Sequence, residues 1–148
     1  MAKQGNVVWL AGRIAERAHA FLVAELKRHG LKGIVPSHGD ILAHLLLSGP
    51  MTMSAMALTV SRTQPTVTVL VDKLIRLGYV TKTKDKLDKR VSYLKLTAKG
   101  LALKPAFFGI AKKLNAMAYA GLSDEDAARA EQLLQQIKRN LDSKGDKK

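Results

Sequence analysis

Five cations fall within nine residues at Lys82, Lys84, Lys86, Lys89 and Arg90, beside two carboxylates, Asp85 and Asp88. Ammonium and guanidinium groups at that density neutralise phosphates, which is chemistry for a polyanion and not for an acidic small substrate. A solvated charge run is the plainer reading, and the two differ in whether the stretch is folded into something that can be presented. Just upstream, Thr63-Gln64-Pro65-Thr66-Val67-Thr68 carries groups that read base edges. An amide pairs bidentately with adenine, a hydroxyl donates or accepts, and the methyls of Thr68 and Val69 touch thymine.

These groups need an element to position them. From Gln64 to Leu77, apolar residues recur with helical period at Val67, Leu70, Val71 and Leu74, so Gln64, Pro65, Thr68, Val69, Asp72 and Arg76 lie on or near the opposite side. Thr63, Lys73 and Arg76 are placed for phosphate. An ordinary exposed helix face is the alternative for each of these residues. Ser61, with Gln64 completing a capping box, competes with Thr63 as N-cap. Pro65 decides for Thr63, because its missing N–H then falls among the first-turn donors that have no helical partner.

Upstream, apolar spacing predicts a long amphipathic helix from Val7 to Leu26, stopping near Gly30. A second helix is expected after Pro36, with Ser37 as N-cap and Asp40 near its positive end, running to Gly49-Pro50. Thr52 caps a short helix to about Leu58, and a turn at Thr59 to Arg62 leads into the helix capped by Thr63. Downstream, Tyr79–Thr83 and Val91–Leu96 read as two strands around the basic turn, that is, a hairpin. Thr97 caps a helix that Pro105 kinks after about Leu101 and Gly121 ends. Ser123-Asp124-Glu125-Asp126 starts the last helix, which runs to Leu141, and the polar residues after it read as a frayed end.

The whole chain limits what these elements can be. Its 148 residues suffice for one domain, and 25 bases against 12 acids give +13. Residues 49–100 hold ten of the bases and only three of the acids, more than half of the net charge. The absence of cysteine excludes disulfides, thiolate metal sites and cysteine nucleophiles. Ile41 to Ser61 is a 21-residue run without charge, but His44, Ser48, Gly49-Pro50 and Thr52 interrupt it, so no membrane span is expected. Nor is a signal peptide, and the expected location is the cytoplasm. Asp40 and His44 share a helix face as two metal ligands do, yet two ligands make no site, so no metal and no cofactor is expected. No nucleophile elbow or phosphate-binding glycine loop is present, so no enzyme is expected.

The order of elements is mainly α (α+β), and a short helix, tight turn, amphipathic helix and hairpin make the winged helix-turn-helix plan. In that plan the second helix enters the major groove and the basic hairpin reaches across phosphates toward the minor groove. Arg90 is expected to insert there, held in shape by a salt bridge from Asp88. Two other partners fit the charge: any duplex, bound by a sequence-tolerant architectural protein, or an acidic protein bound by an interaction module.

The stretch Gly49 to Gly100 resembles the MarR (multiple antibiotic resistance regulator) family, through Thr63-Gln64-Pro65-Thr66-Val67-Thr68, Val71-Asp72-Lys73-Leu74 with Gly78, Asp88-Lys89-Arg90, and Leu96-Thr97-Ala98-Lys99-Gly100. Flanking residues agree at Pro36-Ser37 with Ile41-Leu42 and at Leu122 to Asp126 with Leu133-Leu134. The resemblance implies one domain over 1–148, with a winged lobe at about 35–97 and a helical dimerisation lobe from about 5–30 and 98–142. It implies a homodimer on a pseudo-palindromic double-stranded operator, acting as a repressor released by a small aromatic effector. Thr63, Gln64, Pro65, Thr68 and Arg76 fall on that family's recognition helix, and Asp88 and Arg90 on its wing. Val69 departs from the base that many members carry there, which favours an apolar thymine contact. Trp9, Phe21, His38, His44 and Met56 are effector-pocket candidates, each with plain packing as the alternative.

Overall fold

The computed structural model describes residues 5–145. Seven helices and three strands follow in the order α1 (Val7–Arg28), α2 (Pro36–Ser48), β1 (Met51–Thr52), α3 (Met53–Thr59), α4 (Gln64–Arg76), β2 (Val80–Lys84), β3 (Ser92–Leu96), α5 (Ala98–Leu101), α6 (Lys104–Ala118) and α7 (Asp124–Gly145). This is a mainly helical winged helix-turn-helix. The described residues form two compact units divided between Ala111 and Lys112.

In the first unit, Ile41, Leu42, Met56, Val67, Val71, Leu74, Val80 and Leu94 are fully buried, so α2, α3, α4 and the sheet share one core. The sheet is antiparallel in the order β1-β3-β2, with Val80 opposite Leu96 and Lys84 opposite Ser92. Sequence reasoning expected the hairpin but not β1, which is only two residues long and pairs Met51 with Leu94. Two residues carry no periodicity to read. Thr52 is both the end of β1 and the N-cap of α3, its hydroxyl accepting from the Ala55 N–H.

Three further points differ from expectation or sharpen it. Pro36 itself opens α2, so the N-cap is Val35 and not Ser37. A proline in that place needs no N–H partner. The Val35 N–H is satisfied by His38 Nδ1 at 3.1 Å, and Ser37 Oγ accepts from Arg62 Nη2 instead. The expected kink at Pro105 is a break between α5 and α6, since Pro105 cannot donate to the carbonyl of Leu101. In the second unit, α7 does not fray after Leu141 but continues to Gly145, with Lys138 Nζ bonding Asp142 Oδ2 at 2.8 Å one turn on. Asp146 to Lys148, the rest of that expected tail, lie outside the described residues.

Among the described residues no helix is long and apolar enough to cross a membrane.

Candidate nucleic-acid interface

Helix α4 begins as Pro65 dictates. Thr63 is the N-cap, its Oγ1 accepting from the Thr66 N–H, and Pro65 stands in the first turn. At the other end, the Tyr79 N–H bonds the Leu74 carbonyl and the Gly78 N–H that of Ile75, with Gly78 at φ +83°. This is a Schellman closure, which requires the left-handed residue that glycine supplies. Between these ends Val67, Val71 and Leu74 are buried, while Gln64, Pro65, Val69, Asp72 and Arg76 are exposed and Thr68 is half-buried. Val69 is 70% exposed, on the side facing away from the core.

The turn between α3 and α4 is closed by the Arg62 N–H on the Ala57 carbonyl, with Ser61 at φ +54°. It brings Ser54 of α3 against the start of α4, where Gln64 Nε2 donates to Ser54 Oγ at 3.0 Å. One amide N–H is thereby used and the amide is oriented, leaving its carbonyl oxygen and second N–H for a base edge. Neither Ser54 nor Arg62 was singled out from sequence. Their roles depend on contacts across 10 and 25 residues, which spacing along one helix cannot display.

Lys84, Lys86, Lys89 and Arg90 surround the tip between β2 and β3, all of them exposed. The tip is held by its two acids. Asp85 Oδ1 accepts from the Leu87 N–H at 2.7 Å and the Asp88 N–H at 3.4 Å, while its Oδ2 accepts from Tyr93. Asp88 Oδ1 accepts from Arg90 Nε at 3.1 Å and from the Arg90 N–H at 3.0 Å, and Oδ2 accepts from Arg90 Nη2 at 3.2 Å. Arg90's side chain, then its backbone N–H, hold the Asp88 carboxyl below the usual carboxylate range. The expected Asp88–Arg90 bridge is present, and Asp85 shares the ordering role.

One open groove is lined by Ser54, Gln64, Thr68, Lys82, Arg90 and Ser92. It joins the start of α4 to the wing, so base-reading and cationic candidates far apart in sequence become neighbours. Lys73 stands apart from them. It is half-buried, its ammonium beside Gly33 and close enough to His38 to help push that imidazole's pKa down, after burial itself. Of the effector-pocket candidates, Met56 is core, Phe21 packs on the core, His38 caps α2, His44 pairs with Asp40 at 3.3 Å, and Trp9 is exposed beside Arg13.

Comparison with known proteins agrees with this arrangement. The MarR family model matches residues 29–91, from the end of α1 through the wing. An uncharacterized HTH-type transcriptional regulator of Bacillus subtilis, YkoM, is 29% identical over 104 residues, 70% of this chain and 66% of that protein's length. A MarR protein from Peptoclostridium difficile superposes with a TM-score of 0.84 at 20% identity, covering 97% of this chain and 92% of that one. A mutant MarR from E. coli complexed with operator DNA superposes at 0.77 and 19% identity, covering 92% and 99%. The capped helix, its turn and the ordered basic wing are thus those of a winged helix-turn-helix, and over residues 29–91 the chain is similar to the MarR family.

Proposed function

We propose that this protein is a homodimeric, sequence-specific repressor that binds a pseudo-palindromic double-stranded operator in the cytoplasm and is released by a small aromatic effector. The observation that carries the DNA reading is the groove joining Gln64 and Thr68 to Lys82 and Arg90. In this reading α4 lies in the major groove with Gln64, Pro65, Thr68 and Val69 toward base edges, and with Thr63 and Arg76 on flanking phosphates. Lys84, Lys86 and Lys89 neutralise phosphates beside the wing, and Arg90, fixed by Asp88, enters the minor groove. Lys73, turned toward Gly33 and His38, is left out of this set.

Dimerisation is supported by apolar side chains that each unit leaves in solvent. Val8, Trp9 and Ile14 of α1 are exposed, as are Leu133, Leu134 and Leu141 of α7. Six large apolar groups on two helices suit a second copy better than water. Similarity to the MarR family over residues 29–91 is what suggests the repression and the release by ligand.

The test is selection of bound duplexes from a random library at near-physiological salt with competitor DNA. A two-fold symmetric consensus with half-sites about one helical turn apart supports the regulator. Enrichment without a consensus supports the architectural binder, and no enrichment at all refutes both.

A further inference from the structure

At the apex of the wing stands a residue with no part in the interface as described. Leu87 is 99% exposed, the most exposed large apolar side chain among the described residues. A lone surface leucine needs no explanation, but two features of this one do. The first is that the apex is built to hold it. Leu87's own N–H is fixed on Asp85 Oδ1 at 2.7 Å, the turn is closed by the Asp85 N–H on the Val91 carbonyl and the Val91 N–H on the Asp88 carbonyl, and Tyr93 braces Asp85 from β3. A turn pinned at both ends fixes the backbone that carries the side chain before any partner arrives, so only the leucine's own rotamer entropy remains to be lost.

The second feature is its setting. Lys84, Lys86, Lys89 and Arg90, all exposed, stand around the apex, and Arg90 also lines the groove that leads to α4. A polyanion drawn onto those cations therefore meets a leucine at the furthest point of the protrusion. Backbone phosphates offer that side chain nothing, but the minor groove between them does. Its walls are sugar edges, its floor is base edges, and its base steps yield to apolar side chains that wedge between them.

We propose that Leu87 is a minor-groove wedge that packs against the sugar and base edges beneath the wing and partly unstacks one base step there. This rests on the DNA reading of the wing given above and adds a deformation to it. The consequence is a preference read through deformability and not through a hydrogen bond: a flexible pyrimidine–purine step beneath the wing binds better than a stiff one. An anionic membrane is the other surface that attracts cations and accepts a leucine. The fold favours DNA, because one leucine is a small anchor for a bilayer, and the wing shares its groove with Gln64 and Thr68, which have no use for lipid.

Leu87→Ala tests this cleanly, since a side chain already in water contributes nothing to the core. The probe is the duplex selected by the full-length protein, carrying 2-aminopurine in turn at each position of the outer half-site, where unstacking raises fluorescence. The wild type is expected to brighten one position and Leu87→Ala to leave it dark. Affinity is expected to fall about fourfold for each carbon buried per wing, with an unchanged slope of log K against log salt because no charge is altered. Equal affinity and equal fluorescence for the two proteins would overturn the wedge while leaving the DNA reading intact. Binding of neither protein to any duplex would overturn both. Leucine-dependent binding to vesicles containing phosphatidylserine, with duplex binding unaffected by the substitution, would overturn the wedge in favour of a lipid surface.

Discussion

The Asp88–Arg90 pair permits a test in which two substitutions on one hydrogen-bonded unit act in opposite directions. The guanidinium is clamped by Nε and Nη2 on a single carboxylate, so the pair presents donors to DNA while carrying no net charge. Arg90→Ala leaves a bare carboxylate facing phosphate. Each wing then loses one unit of positive charge, and the slope of log K against log salt becomes shallower by about 0.9 per wing, or about 1.8 for two. Over a fourfold rise in salt, from about 50 to about 200 mM, the affinity advantage of wild type over Arg90→Ala shrinks roughly twelvefold. Asp88→Asn keeps one acceptor oxygen but frees the charge, and its slope steepens by the same amount. The double variant returns to the wild-type slope. Titration by fluorescence anisotropy with the selected duplex reads all three. Specificity should move differently from the slope: Asp88→Asn is expected to lower the ratio of specific to non-specific affinity, because Arg90 is no longer fixed by the second oxygen. Equal slopes in all four proteins would refute the reasoning, since Arg90 would then not act near phosphate. Slopes that move in the same direction for both single variants would also refute it, by showing that the pair does not act as a charge-neutral unit.

Three further outcomes follow from the fold. A Cβ on Gly100 would stand 2.3 Å from the Tyr79 carbonyl oxygen and 3.0 Å from Leu96, so Gly100→Ala must move backbone where the wing meets α5. Urea unfolding should show a loss of about 1–3 kcal/mol, and an unchanged midpoint would refute the contact. Ser61 holds a left-handed conformation that costs an L-residue about 1–2 kcal/mol, part of which a glycine returns through its freer unfolded chain. Ser61→Gly is therefore expected to raise stability by about 0.5–1 kcal/mol, and a lower urea midpoint would count against the strain. Burial, then Lys73, depress the His38 imidazole below its ordinary value of about 6.5, so the unfolded chain takes up this proton first as pH falls. His38's contribution is complete above about pH 6.5 and declines below it. His38→Gln, which keeps an acceptor for the Val35 N–H, should lose stability less steeply than wild type as pH falls below that value, and parallel profiles would refute this.

Much of the fold was legible because its signals are local. The N-cap of α4 followed from one proline, the end of α4 from one glycine, and the outward face from four apolar positions at helical spacing. The hairpin showed in the alternation of Val91 to Leu96 around a charged turn. What escaped depends on partners distant in sequence. Thr52 displays its capping role but not its pairing with Tyr93, which lies across the sheet. Ser37 has the right chemistry for an N-cap, and only the start of the helix at Pro36 moves the cap to Val35. Lys73 has the charge for a phosphate contact. Its position on the wheel turns it toward the side where Gly33 and His38 lie, a placement that periodicity does not reveal.

The two acids in the wing explain a choice that charge alone does not. Removing Asp85 and Asp88 would leave a turn of uninterrupted cations and increase attraction to any duplex. Such attraction is the same for every sequence, and it disappears with salt. Asp85 takes two backbone N–H groups and the Tyr93 hydroxyl, and Asp88 takes one backbone N–H and the Arg90 fork. Each acid thus gives up non-specific attraction to fix part of the tip, the backbone that carries Leu87 in the first case and the Arg90 guanidinium in the second. Their opposite sign to the surrounding lysines is therefore consistent with a wing shaped for discrimination, in which the cations bring DNA to the tip and the carboxylates determine which side chains it meets there.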